Sequence, residues 1–304
     1  MTNNKLYARD EYLKKKAADS NGLNIQLTNN YAFRKTFKNT YIAKGFLMAL
    51  LELKEDEIAD LKVTDPFEEG ESEQEKEGIL DVKIYLNNNK KINIEMQNRY
   101  QNDWTERSLF YNCRMFTDGF YHGQPYGELE PCIHIGILDF NLMRSQGFHH
   151  HIKLLDIKTG EEYNDKLQFH VVQLKKLEDA VKEEKETELY YWAKLLAAKD
   201  WKEVDDTIKG NPYREAVKDE MYKMSQDERE RYLYLREEMA YSDEISRMKT
   251  AREEGLEEGR KEGKQQFLQC IRLKKQGFSK EKIAEECQVD IPEVEEILKE
   301  IEDL

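Results

Sequence analysis

The sequence predicts an α/β fold with the order helix, three strands, helix, strand, followed by a helical extension. Three observations support this prediction. Residues 78–86 and 91–97 each alternate apolar and polar side chains, as half-buried strands do. Residues 132–140 form a nearly continuous apolar run, which is typical of a buried strand. After residue 177 the apolar spacing is almost wholly helical, and charged residues are concentrated there.

The elements before the alternating runs follow from local composition. We expect residues 1–25 to form a polar arm or a loose helix, followed by a short helix over 31–37. An apolar stripe predicts a stronger helix over 42–53. Residues 61–66 predict a short strand that ends at a proline, and the acidic stretch 68–77 predicts a loop.

The two alternating runs predict a hairpin with a functional face. The turn-rich segment Asn87–Lys90 is short enough to join them. Alternation then sets Asp81, Glu95 and Gln97 together on the polar face of the hairpin. Two carboxylates so placed suit Mg²⁺-dependent phosphodiester hydrolysis, although solvated residues on a one-sided sheet give the same pattern.

The next helix is predicted over Trp104–Tyr121 and has two distinct sides. Arg107, Tyr111 and Arg114 share one side at the spacing of helical neighbours. The apolar side contains Leu109, Cys113, Phe116 and Phe120.

Beyond the buried strand, residues 169–174 predict a further strand. His149, His150 and His151 are expected to be surface histidines on a loop, because neighbouring loop histidines do not converge on one ion.

We divide the chain into five segments on composition and periodicity. These are a polar N-terminal arm (1–25), the α/β domain (26–200), a helical extension (201–250), a Glu/Gly-repeat helix or connector (251–266) and a small helical, helix-turn-helix-like unit (267–304).

The repeat places Gly255, Gly259 and Gly263 in register and has two interpretations. Glycine every four residues lets two helices approach closely, which suits a homodimer formed through the C-terminal helices. Glycine also weakens a helix in water, which suits a flexible connector rich in charged residues.

In the last unit (267–304), glutamates near Pro292 would repel phosphates, so we expect this unit to pack against protein.

Charge limits the classes of function. The chain has 48 basic and 62 acidic residues, a net charge of −14, which excludes the generally basic surface expected of a nucleic-acid binder. Contact with DNA would therefore depend on local basic residues and on metal ions.

The four cysteines lack metal-ligand spacing, and no apolar run reaches the roughly 18 residues that a membrane span needs. The N-terminus lacks the apolar core of a signal peptide, so we expect a cytoplasmic protein.

The order of elements and the hairpin signature together resemble the PD-(D/E)XK nuclease superfamily. In particular, the chain resembles the transposase-like Rpn family of recombination-promoting nucleases. The resemblance covers most of residues 28–200 and, more loosely, the tail. The matching segments are Asp65-Pro66, Gly78–Lys83, Ile92–Asn98, Glu106–Tyr111, Ile133–Phe140 and Glu253–Gly259.

This resemblance implies a restriction-endonuclease-like αβββαβ core with a mixed central sheet, and DNA endonuclease activity with a divalent metal. Asp81 and Glu95 would bind Mg²⁺, or Mn²⁺, through their carboxylates, and the Met96 carbonyl would complete the protein ligands. Gln97 stands where the superfamily usually has lysine, as is common in this branch. An amide can orient a water molecule but supplies no charge, so Lys83 is the candidate for the missing cation.

The helix after the hairpin packs beside the site in this fold. Arg107, Tyr111 and Arg114 are therefore the candidate DNA-binding residues. They have a simpler alternative role, which is pairing with nearby acids such as Glu106 and Asp118.

Two alternative functions stay open at the level of the sequence. One is a catalytically weakened nuclease fold that serves DNA or protein binding. The other is a helical oligomerisation protein whose tail mediates assembly.

Overall fold

The computed structural model of the protein describes residues 2–19, 22–64, 82–87 and 89–302. The predicted loop at 68–77, the start of the predicted strand at 78–86, Asp81 and the Asp65-Pro66 pair lie outside the described residues. The chain divides into two compact units, Met1–Glu238 and Met239–Leu304, which are described separately.

A six-stranded mixed sheet, counted over the described residues, forms the centre of the first unit. Its strands are β1 (Leu61–Thr64), β2 (Val82–Leu86), β3 (Lys90–Gln97), β4 (Cys132–Leu138), β5 (His149–Leu155) and β6 (Glu162–Gln173). Their order across the sheet is β1-β2-β3-β4-β6-β5. Strand β4 runs parallel to both β3 and β6, and the other neighbours are antiparallel.

Eight helices of the described chain lie wholly within the first unit. They are α1 (Thr2–Ala17), α2 (Asn30–Phe37), α3 (Thr40–Leu51), α4 (Trp104–Thr117), α5 (Lys182–Lys185), α6 (Glu188–Ala197), α7 (Trp201–Ile208) and α8 (Pro212–Gln226). The order α3-β1-β2-β3-α4-β4 confirms the predicted αβββαβ core with a mixed sheet, followed by a helical region.

An aromatic cluster forms much of the core beside the sheet. Phe37 and Phe46 meet edge to face at 5.3 Å between ring centroids, and Phe46 meets Trp192 at 5.7 Å. Helices α2, α3 and α6 are thereby held together by fully buried rings. Asn29 caps α2 by accepting a hydrogen bond from the Ala32 amide, as the asparagine preceding that helix suggests.

The predicted loop histidines lie on a strand instead. His149, His150 and His151 begin β5, and the ring of His151 stacks on His170 of β6 at 4.1 Å. Because β5 is an exposed edge strand without clean apolar alternation, its sequence carries no strand signal of its own. β6 is also longer than the predicted 169–174, since it extends outward to pair with β5.

The side of helix α4 that packs on the sheet is not its apolar side. Leu109 is 50% exposed and Cys113 is exposed, whereas Trp104, Ser108, Asn112 and Met115 are buried. The physical reason is that the sheet face beneath α4 is itself polar, so small and hydrogen-bonding side chains fit there. Asn112, for example, donates to the Gln168 carbonyl at 2.9 Å.

Arg231 connects the N-terminal helix α1 to the C-terminal end of α8 through hydrogen bonds. It lies near the start of α9 (Glu228–Lys275), and its side chain is buried. Its guanidinium donates to the Ala17 carbonyl at 2.6 Å, and to the Ser225 and Gln226 carbonyls at 3.0 and 2.7 Å. Three hydrogen bonds satisfy a charge that would otherwise be costly to bury.

The second unit contains the end of α9 together with α10 (Lys280–Cys287) and α11 (Ile291–Glu302). Ser279 caps α10 by accepting from the Lys282 amide, and Gly277 adopts the left-handed conformation (φ 85°) that follows many helix ends. The three helices share a small core made of Cys270, Ile283, Ala284, Cys287, Val294 and Leu298. The glycine repeat lies within α9, so it is helical.

Candidate active site

The candidate site lies on the face of β3 that α4 covers. Asn93 and Glu95 alternate with buried apolar residues along β3, and Gln97 follows at the end of the strand. In the parallel ladder with β4, Asn93 is opposite His134 and Glu95 is opposite Gly136. We call Asn93, His134 and Glu95 the polar strip, because all three are buried polar residues on this one face.

Gly136 lets α4 approach the strip closely. A Cβ atom at residue 136 would lie 2.2 Å from Cζ2 of Trp104, which is a severe overlap. Only glycine therefore allows the Trp104 ring to lie directly on the strand. Since Trp104 is the first residue of α4, this contact sets the position of the helix above Glu95.

Glu95 is a buried carboxylate between two nitrogen-bearing side chains. It is 7% exposed, with Oε1 3.5 Å from Nη2 of Arg107 and Oε2 3.7 Å from Nε2 of His134. Burial raises the pKa of Glu95, and the Arg107 guanidinium opposes this shift. The predicted solvated alternative therefore does not describe Glu95, because its side chain is enclosed.

Arg107 joins α4 to the site. Besides Glu95, it donates a hydrogen bond to Oε1 of Gln101, in the segment between β3 and α4. One third of its side chain (33%) is exposed, so Arg107 lies between solvent and Glu95. The carboxylate partner of Arg107 is thus Glu95, rather than Glu106 or Asp118 as the simpler alternative supposed.

The other two candidate DNA-binding residues follow along α4. Tyr111 and Arg114 are partly buried, and the Tyr111 ring meets Phe110 edge to face at 5.4 Å. Their spacing from Arg107 continues the same side of the helix toward its C-terminal end.

Lys83 contacts the C-terminal end of α4. Its ammonium group lies 3.5 Å from Oδ2 of Asp118, and the side chain is 8% exposed. Lys91, two register positions away on the same face, is equally buried and donates to the Met115 and Asp118 carbonyls. Both lysines therefore face the negative end of the α4 dipole, whereas Glu95 lies nearer its first turns.

Gln97 and Met96 end the strand. The Gln97 side chain donates to the Arg99 carbonyl at 3.2 Å, so part of its amide is already engaged. Met96 lies on the opposite, apolar face with Ile92 and Ile94 and is 2% exposed.

Asp81 lies outside the described residues, so the structure does not place it relative to Glu95. The next residue, Val82, pairs with Ile94, the neighbour of Glu95. Over the described parts of the chain, no three His, Cys, Asp or Glu side chains are grouped so that they would hold a metal ion.

Glu95 supplies one carboxylate, an oxygen donor of the kind that a hard cation takes. Both contacts of the Glu95 carboxylate are longer than the 2.7–2.9 Å or so of a charge-assisted hydrogen bond. Nε2 of His134, beside it, is buried without a hydrogen-bond partner among the described residues. A carboxylate that is buried but loosely held is suited to binding a hard cation.

Sequence reasoning missed His134. It is the one strongly polar side chain in the run Cys132–Leu138, where all seven residues are buried. A polar residue inside a buried strand requires a partner, and that signal points to a neighbouring polar strand.

The fold and this site define a class of protein: an α/β nuclease fold with an acidic residue on the third core strand. A family model described as "PD-(D/E)XK nuclease family transposase" matches residues 27–251, and the chain belongs to this family. The predicted resemblance is thereby confirmed. Neither the curated proteins nor the solved structures contain a significant match. None of the helices in the described ranges is both long and apolar enough to cross a bilayer.

Proposed function

We propose that this protein is a Mg²⁺-dependent DNA endonuclease of the recombination-promoting, transposase-like type. One observation carries the proposal: in a chain of a nuclease family, Glu95 is a buried carboxylate on the third core strand, and Arg107 contacts it from α4. Burial of a charged pair is costly, and such pairs are concentrated at functional sites.

The proposed ligands are the carboxylates of Asp81 and Glu95 and the carbonyl of Met96. When bound, Mg²⁺ polarises a phosphate and lowers the pKa of an attacking water. Gln97 would orient that water through its amide, and Mn²⁺ would serve in place of Mg²⁺ at the same oxygen ligands.

DNA is the proposed partner, and a cytoplasmic location is part of the proposal. With a net charge of −14, the chain requires local cations to approach DNA. Arg107 and Arg114 would supply these cations along one side of α4 by directing their guanidinium groups at phosphates, and the hydroxyl of Tyr111, on the same side, would donate a hydrogen bond.

Plasmid cleavage with Mg²⁺ or Mn²⁺ tests the proposal. We expect wild type to cut, and Glu95→Gln and Asp81→Asn, which keep side-chain size, to lose at least about 10²-fold in rate. Glu106→Gln is the matched control, because Glu106 is an exposed glutamate of α4, and it should cut normally.

A wild type that fails to cut, with no activity gained by Gln97→Lys, would refute the endonuclease. It would favour a weakened nuclease fold that binds DNA or protein. Cleavage that survives Asp81→Asn and Glu95→Gln would refute the assigned ligands.

Lys83 enters the proposal as the cation that Gln97 does not supply. Lys91 provides its control, because both lysines are equally buried at the end of α4 and both changes to methionine remove one buried charge. We expect Lys83→Met to lower the cleavage rate much more than Lys91→Met. Equal effects would show that Lys83 acts only by holding α4.

We further propose that the chain forms a homodimer through α9. Gly255, Gly259 and Gly263 form a stripe along one side of α9. Among the described residues, no atom lies within 4 Å of a Cβ built at any of the three, so the stripe has space for a second helix. The charges around it divide along the helix, with four glutamates between 253 and 258 and three basic residues between 260 and 264.

That division favours an antiparallel pair of helices that cross at Gly259. Such a pair sets Glu254 opposite Lys264, Glu257 opposite Lys261 and Glu258 opposite Arg260, whereas a parallel pair sets like charges together. Light scattering should give twice the chain mass of 36.2 kDa. Gly259→Leu should give monomers and Thr250→Leu, elsewhere on α9, should not; a dimer unchanged by Gly259→Leu would exclude this contact.

A further inference from the structure

His134 is held in one orientation from three sides. It is completely buried on β4, and its ring centroid lies 6.0 Å from that of Trp104 and 6.2 Å from that of Phe169. Nδ1 is 3.1 Å from Nδ2 of Asn93, which is also completely buried. A histidine enclosed in this way loses most of its rotational freedom, so its second nitrogen has a fixed direction.

That second nitrogen faces Glu95. Nε2 lies 3.7 Å from Oε2 of Glu95 and has no hydrogen-bond partner among the described residues. The Asn93 amide nitrogen that faces Nδ1 can only donate, so this arrangement of the two side chains requires the ring proton to be on Nε2, beside the carboxylate.

The two oxygens of Glu95 therefore have different neighbours. Oε1 is next to the accessible Arg107, and Oε2 is next to the enclosed His134. Arg107 is partly exposed, whereas His134 is completely buried. The enclosed histidine is therefore the neighbour better suited to setting the direction of the carboxylate.

We propose that His134 is a positioning residue: its Nε2–H, fixed by Asn93, donates to Oε2 of Glu95 and orients the carboxylate so that Oε1 is presented to the divalent cation. This inference rests on the proposed function, because it assigns Glu95 as a ligand. It adds a residue pair, Asn93 and His134, to the site. The 3.7 Å separation should shorten to hydrogen-bond length when the carboxylate is drawn toward a cation.

Mn²⁺ binding without DNA tests the inference separately from catalysis. The free Mn²⁺ signal in electron paramagnetic resonance should give a dissociation constant that rises about 10–100-fold in His134→Leu. His134→Gln, whose side-chain amide retains an N–H donor near Nε2, should restore affinity to within a few-fold of wild type. His170→Leu is the control, because His170 is a buried histidine opposite Ile135, on the other face of the sheet, and it should bind Mn²⁺ normally.

A second readout does not depend on a folded leucine variant. Long-range ¹H–¹⁵N spectra of the wild type should show the Nε2–H tautomer for His134, with a shift of that resonance on adding Mg²⁺. Three results would each overturn the inference. The first is unchanged Mn²⁺ affinity in His134→Leu, and the second is an Nδ1–H tautomer of His134. The third is a histidine nitrogen bound directly to Mn²⁺ in electron spin echo spectra. Wild type that binds no Mn²⁺ would refute the metal-dependent function itself, whereas loss of binding in Glu95→Gln but not in His134→Leu would refute only the role of His134.

Discussion

Gly136→Ala is expected to destabilise the first unit by forcing α4 off the sheet. The added methyl group would lie 2.2 Å from Cζ2 and 2.7 Å from Cη2 of Trp104. Two carbon atoms need about 3.5 Å, so the indole ring must move by about 1.3 Å. Overpacking of this kind costs about 1–3 kcal/mol.

Urea denaturation followed by circular dichroism measures this cost. With a slope of about 2 kcal/mol/M, the unfolding midpoint should fall by roughly 0.5–1.5 M. Because the Trp104 ring shifts, the tryptophan fluorescence of the folded variant should also change. Arg107 is one turn further along α4, so its contact with Glu95 should lengthen as well.

Gly127→Ala is the matched control. A Cβ there has no neighbour within 4 Å, and the same chemical change should alter the free energy of unfolding by less than about 0.5 kcal/mol. If Gly136→Ala and Gly127→Ala have the same urea unfolding midpoint, the close approach of Trp104 does not determine the position of α4.

Three further predictions concern stability. Gly45→Ala should lower the free energy of unfolding by about 1–3 kcal/mol, because its Cβ would lie 2.3 Å from Cβ of Tyr213; a neutral result in urea denaturation would contradict this packing of α3 on α8. Asn211→Ala should cost about 0.5–2 kcal/mol, since Asn211 caps α8 by accepting from the Tyr213 and Arg214 amides, whereas Asn211→Asp should retain the cap. Burial lowers the pKa of His170 from 6.5 to about 2, so unfolding takes up a proton and stability falls as pH decreases below 6.5, by up to about 1.4 kcal/mol per pH unit. His170→Phe should flatten this dependence in thermal melts between pH 7 and 5, and an unchanged slope would show that His170 does not contribute to it.

The core strands were predictable because their apolar positions follow strand patterns. β2 and β3 alternate apolar and polar side chains, and β4 is apolar except for His134, since β4 lies between two parallel neighbours under α4. β5 was not predictable. It pairs on one side only, and a partly exposed edge strand needs no regular pattern.

The site was predictable only in part, because sequence spacing shows which face a residue shares but not what covers that face. Alternation placed Glu95 with Gln97, yet it indicated neither that α4 encloses Glu95 nor that Arg107 contacts it. Lys83 illustrates the same limit. Its position on the polar face is clear from the sequence, whereas its contact with Asp118 depends on where α4 ends.

The contact between Arg231 and Ala17 has a consequence for synthesis of the chain. The donor lies 214 residues after the acceptor. At about 5–20 residues per second, the ribosome needs roughly 10–40 s to make the intervening segment. The N-terminal helix has left the ribosome long before its anchor exists, so a nascent or truncated chain that ends before residue 231 lacks the hydrogen bond to the Ala17 carbonyl. The α/β domain expressed alone, ending near residue 200, should therefore be less stable in urea denaturation than a chain extended to residue 238.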